Sequence, residues 1–151
     1  MHWCETLVII FIFEEKNTHM PDSIDKDKLI YYWIDSSDKD FKTMEDLYHT
    51  KNNNWALFMG HLVIEKLCKA LFIKRKQDYP PLIHDLRRIL KKADVEIPDE
   101  NKIVLDSISR FNIRARYDDY KQSFYKICTD SFTKEWIEKI KDTRTWIKSM
   151  L

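Results

Sequence analysis

The stretch from Trp55 to Ile73 constrains this chain more than any other. Read as a helix, it carries apolar side chains on almost every side. A helix that is apolar all round is covered from several directions at once. Yet Glu65, Lys66 and Lys69 sit in its second half. Unpaired charge in apolar surroundings is costly, so these groups must find partners. The segment therefore predicts the central helix of a bundle, with a polar seam built into it.

The rest of the chain fits that core. A single Gly and four Pro leave little for tight turns, which favours helices over hairpins. At 151 residues the chain makes one domain, large enough to bury a core without disulfides or metals. Spacings of three, four and seven among Leu29, Trp33, Ile34, Phe41, Met44 and Leu47 predict a first helix over residues 25–49. Ser23, Asp25 or Asp27 can cap it. A polar link at 50–54 offers an Asn cap for the central helix, predicted over residues 55–77. Pro80 and Pro81 are expected to end that helix. Gly60 inside it costs about 1 kcal/mol relative to Ala and implies close approach of a neighbouring helix. A short helix over 83–93 and another over 99–111 follow. Residues 112–120 read as a loop, 120–128 as a loop or broken helix, and 131–150 as the last helix. The fold class is all-α, a single up-and-down bundle of about five helices.

Residues 1–19 stand apart. Leu7–Phe13 is a short apolar run, far below the roughly 18 residues of a membrane-spanning helix, and it lacks the basic flank and cleavage site of a signal peptide. Met20-Pro21-Asp22 then opens an ordinary soluble sequence. The expectation is a bundle domain over 20–151, preceded by an upstream translated segment or an extended arm, with no membrane partner.

Charge excludes one common role. Lys+Arg and Asp+Glu number 26 and 25, so no global basic surface draws the chain to nucleic acid. Lys74-Arg75-Lys76, Arg87-Arg88 and Lys91-Lys92 read as solvated faces. Cys4, Cys68 and Cys128 are too widely spaced for a metal site or a disulfide framework, which suits a reducing cytoplasm. No metal or cofactor is expected, because no His, Cys and carboxylate cluster has ligand spacing.

The candidate site residues are few. Glu65 and Lys69 stand four apart in the favourable order for an ion pair. Lys66 and Lys69 are either structural or presented to a phosphate. His84 at a helix start can cap backbone, bond Tyr117 or a neighbouring carboxylate, or move a proton near neutral pH. Arg114, Arg116 and Tyr117 fall in the predicted loop, where binding residues concentrate. Arg116 either pairs with Glu65 or Asp85 or offers its planar fork to a phosphate. If His84 and Arg116 face the central helix near Lys69, the seam becomes a small cationic pocket. Trp33, Trp55, Trp136 and Trp146 read as core or interface residues.

Three pieces line up in order: Trp55, Phe58 and Val63-Ile-Glu-Lys-Leu-Cys-Lys-Ala70; then Pro81-Leu-Ile-His-Asp-Leu86; then Arg114-Ala-Arg-Tyr117. Together they resemble the HEPN domain family, over about Leu29 to Leu151. That resemblance implies a helical bundle that often forms homodimers, and a partnership with a minimal nucleotidyltransferase in toxin–antitoxin pairs. It implies possible nucleotide binding, with Lys66, Lys69, His84, Arg114, Arg116 and Tyr117 as the ligand-binding residues. Other family members are metal-independent ribonucleases, marked by an Arg and a following His with four to six residues between them. Here the only Arg upstream of a nearby His is Arg75, with eight residues before His84. The expectation is therefore a binding module rather than an enzyme. The alternative is an RNA-cleaving toxin that uses His84 and Arg116.

Overall fold

The computed structural model describes residues 25–151. The expectations for residues 1–19 lie outside that range. The described residues form six helices: α1 (Lys26–His49), α2 (Asn53–Lys76), α3 (Leu86–Lys92), α4 (Asp99–Arg116), α5 (Ser123–Ile127) and α6 (Asp130–Lys148). They make one all-α bundle with α2 at its centre. The sixth element is the short α5, where the sequence predicts a loop or broken helix.

Local chemistry sets the helix ends. The Asp25 carboxylate accepts from the backbone N–H groups of Asp27 and Lys28, so it is the cap that starts α1. Three residues connect α1 to α2, and the two helices make the most extensive packing contact in the domain. Asn52 starts α2 without a side-chain cap bond. Its amide donates instead to Thr50, tying down the turn. The C-terminus of α2 is not set by Pro80 and Pro81. The helix ends at Lys76, and Gln77 takes a left-handed φ of 55° while its N–H donates to the Ile73 carbonyl. Asp85 caps α3 through the Arg88 N–H at 2.9 Å, so His84 lies just before that helix rather than in it.

Helix α2 is buried on several sides, as its composition requires. Leu57, Ile64, Leu67 and Leu71 are fully enclosed and share one core with Met44, Ile89, Leu105, Ile108 and Ile140. Gly60 explains itself here. A Cβ at that position would sit 2.4 Å from Ile140 Cδ1 and 3.2 Å from Met44 Sδ, so α6 could not approach as closely. Cys68 is fully buried and burial pushes its thiol pKa up; it packs as a small hydrophobe. Trp136 and Trp146 pack on the same core, Trp33 joins a small second cluster around Leu29 and Ile73, and Trp55 is partly exposed.

Polar staples fix α1 to its neighbours. Ser37 donates to the Val63 carbonyl at 2.9 Å. Asp38 accepts from both Arg144 (2.8 Å) and Lys148 (2.7 Å) on α6. Partial burial opposes the Asp38 charge, yet those two cations hold its carboxyl below the usual range. Lys74 reaches the last carbonyls of the chain, and Lys76 pairs with Asp94. No helix among the described residues is long and apolar enough to cross a membrane.

Candidate functional site

The polar seam of α2 is a network around Glu65. Its carboxylate is only 5% exposed and Lys69 only 8%. Lys69 Nζ donates to Glu65 Oε1 at 2.6 Å, the pairing that the four-residue spacing predicts. The Lys69 ammonium also lies 5.4 Å from the Trp33 ring centre. His84 completes the network from outside: its Nδ1 sits 3.1 and 3.0 Å from the two Glu65 oxygens. Glu65 is therefore the neighbouring carboxylate that His84 binds. Burial works against the Glu65 charge, but the Lys69 charge and hydrogen bond, with the His84 hydrogen bond, hold its carboxyl below the usual range.

This geometry assigns the His84 protons. An ionised carboxylate only accepts, so Nδ1 carries the hydrogen. The side chain is 64% exposed, which leaves Nε2 open to solvent. A second histidine backs the first. His61 is fully buried and its Nε2 donates to the His84 carbonyl at 3.0 Å, with a Glu65 oxygen 3.6 Å away. Its Nδ1 is buried without a partner among the described residues. Burial, the largest influence, pushes the His61 pKa down, and Arg116 adds to that push. His61 is thus a neutral ring that fixes the backbone at His84. Sequence reasoning passed over His61, because its partner lies 23 residues away and nothing local marks it.

Arg114 and Arg116 are not in a loop. Helix α4 continues through Arg116, and Tyr117 is its C-cap. The continuation was legible: Leu105, Ile108, Phe111 and Ala115 keep the helical period and are buried. Arg116 Nε donates to the Asn112 carbonyl at 2.8 Å. Its guanidinium lies 5.5 Å from the Phe58 ring and 5.4 Å from the Tyr117 ring. It reaches α2 through Phe58, not through Glu65 or Asp85 as the ion-pair reading has it. Phe58 in turn meets Trp55 edge-on at 5.8 Å. Arg114 stacks 4.9 Å over Phe124 and faces α5 instead.

The six candidate ligand-binding residues thus divide. His84 adjoins His61 through its carbonyl, and Arg116 lies on Phe58, one turn before His61 on α2, with Tyr117 against it. Lys69 stands behind His84, bound to Glu65. Lys66 points toward α1, ion-paired to Asp40 at 2.5 Å and bonded to Ser36 at 2.8 Å. Arg114 faces away. Among the described residues no cluster of His, Cys, Asp and Glu has the arrangement of a metal site.

The HEPN domain family matches residues 30–150, so this chain belongs to that family. Its structure is similar to that of TT1696 from Thermus thermophilus, at a TM-score of 0.71 and 17% identity, covering 81% of this chain and 98% of that one. At that identity the likeness is one of fold. No curated protein matches the chain.

Proposed function

We propose that this HEPN-domain protein is a dimeric binding module that acts with a minimal nucleotidyltransferase partner in a toxin–antitoxin-like pair, and that it binds a nucleotide phosphate at His84, Arg116 and Tyr117. The observation that supports it most is that Arg116 packs on Phe58 and Tyr117, while His61, one turn along α2 from Phe58, holds the His84 carbonyl. A guanidinium offers a phosphate two parallel donors, and an aromatic ring beside it suits a base or ribose. Lys69 sits behind His84 and offsets the Glu65 charge without touching the ligand. The missing Arg-to-His spacing of the family's ribonucleases favours binding over cleavage. The test is native co-purification of the C-terminally tagged chain, followed by calorimetry with nucleoside mono- and triphosphates. A stoichiometric nucleotidyltransferase and a nucleotide affinity weakened in His84→Ala and Arg116→Ala are expected. No such partner together with no nucleotide binding removes the reading.

One observation favours the alternative of RNA cleavage. Glu65 holds His84 with Nε2 outward, which is how a carboxylate orients an imidazole as a base. Arg116 then supplies the cation that the phosphate needs. Growth arrest on expression that is lost in His84→Ala, with RNA cleavage by the pure protein, would establish it in place of the binding reading. Its absence retires the ribonuclease.

A further inference from the structure

Exposed large hydrophobic residues are not scattered evenly over this domain. Among the described residues nine stand out, and six of them are Trp55, Ile113, Tyr117, Tyr120, Tyr125 and Ile127. Five of those fall within fifteen consecutive residues, from the last turn of α4 to the end of α5. Tyr117 is 72% exposed and Tyr120 is 91% exposed. Exposed large apolar residues gathered in one segment mark an interaction site more often than chance exposure.

The segment is held in place. The Asp118 carboxylate accepts from the backbone N–H groups of Phe124 (3.0 Å) and Tyr125 (2.8 Å). Asp119 accepts from Lys121 and Ser123. Phe124 is buried against Phe111 and roofed by Arg114. Asn53 at the start of α2 donates to the Cys128 carbonyl and to Asp130, which anchors the far end. The aromatic rings are thus carried on a fixed frame, and little ordering cost remains for binding.

Its charge is unbalanced as well. Arg114, Arg116, Lys121 and Lys126 stand in this segment against Asp118 and Asp119, whose oxygens are turned to backbone. None of the four cations is ion-paired among the described residues, so their charge is open to a partner's carboxylates. Tyr, Trp and Arg are the residues enriched at the energetic centres of protein interfaces. Ile113 and Ile127 are aliphatic anchors that offer nothing to a base stack. The small cationic excess is also less than a strand-binding groove uses.

Building on the interaction-module reading above, we propose that this end of the bundle, from Trp55 across Ile113–Ile127, docks a second protein that presents acidic side chains around an apolar anchor. The anchor packs on Tyr120 and Tyr125, and its carboxylates meet Lys121, Lys126 and Arg114.

Carbodiimide coupling of the full tagged chain in native extract tests this directly, since it joins a lysine amine to a carboxylate in contact with it. Mass spectrometry reads which carboxylate is attached to Lys121 and Lys126. The expected result is Asp or Glu of one other protein, present in stoichiometric amount. Tyr120→Ala, which keeps both lysines, should lower the yield about tenfold or more, as truncation of an interface hot spot does. Tyr31→Ala, which removes another exposed ring on α1, should leave it unchanged. Joining only to a second copy of this chain, or only to its own Glu5, Glu14 or Glu15, overturns the proposal. So does a complex dispersed by ribonuclease, or no intermolecular product. A protein joined at these lysines that is not a nucleotidyltransferase leaves the surface standing and retires that partner. A nucleotidyltransferase that co-purifies but is joined elsewhere does the reverse.

Discussion

Lys69→Met isolates the energetics of the seam. The substitution keeps the length and apolar stem that pack near Trp33 but removes the only ammonium on Glu65 among the described residues. Both side chains of the pair are about one-tenth exposed or less, so water cannot replace the lost partner. Breaking one half of a buried pair typically costs about 3–5 kcal/mol. The lower end applies here, near ~3 kcal/mol, because His84 still donates to both Glu65 oxygens. For a domain of this size that corresponds to a melting point lower by about 6–12 °C. Glu65→Gln alone leaves the ammonium buried and should cost a similar amount. Glu65→Gln with Lys69→Met leaves no orphaned charge and should cost clearly less than the two single changes added together. Urea and thermal unfolding of the four proteins at pH 7.5 close the cycle. Costs for the single variants within ~0.5 kcal/mol of wild type, or strictly additive costs, would refute the buried pair, since surface substitutions behave that way.

Stability should fall as pH drops below about 6.5, the unfolded value for His61, because the unfolded chain then takes up a proton that the buried ring refuses. The slope is up to ~1.4 kcal/mol per pH unit. His61→Gln should abolish that part of the slope in urea midpoints between pH 7.5 and 5, and an unchanged slope counts against it. Glu65 adds a second decline below its unfolded value of 4.5, since its folded pKa is depressed and its charge must be neutralised. Gly60→Ala should destabilise despite its helix propensity, by about 1–3 kcal/mol, because its Cβ meets Ile140 Cδ1. Ile140→Val removes that atom, so the double variant should recover part of the loss in the same assay. Asp118→Ala should speed hydrogen exchange at the Phe124 and Tyr125 amides, which donate to its carboxylate, while α2 amides stay protected.

What the sequence discloses here depends on how far apart the interacting residues lie. The Glu65–Lys69 pair is four residues long and could be read from spacing alone. The Asp25 cap and the enclosure of α2 are likewise written in local pattern. Gly60 is an intermediate case: its presence in a buried helix signals close approach, but Ile140, eighty residues on, cannot be named without the fold. The extent of α4 was misjudged for a different reason. Asn112, Arg114 and Arg116 look like loop residues, and the stripe that continues the helix is completed by Ala115, too small to stand out. That misjudgement matters for the site, because a guanidinium on a rigid helix end is positioned, whereas one on a loop must be ordered by its ligand. His61 was illegible altogether. A histidine in an apolar helix looks like filler until the chain returns, 23 residues later, and offers it the His84 carbonyl. That return also sets Glu65 opposite His84 and fixes which imidazole nitrogen faces outward. Each residue of the seam has an ordinary structural explanation singly; it is their convergence, set only by tertiary packing, that makes the exposed His84 nitrogen a chemically defined point on the surface.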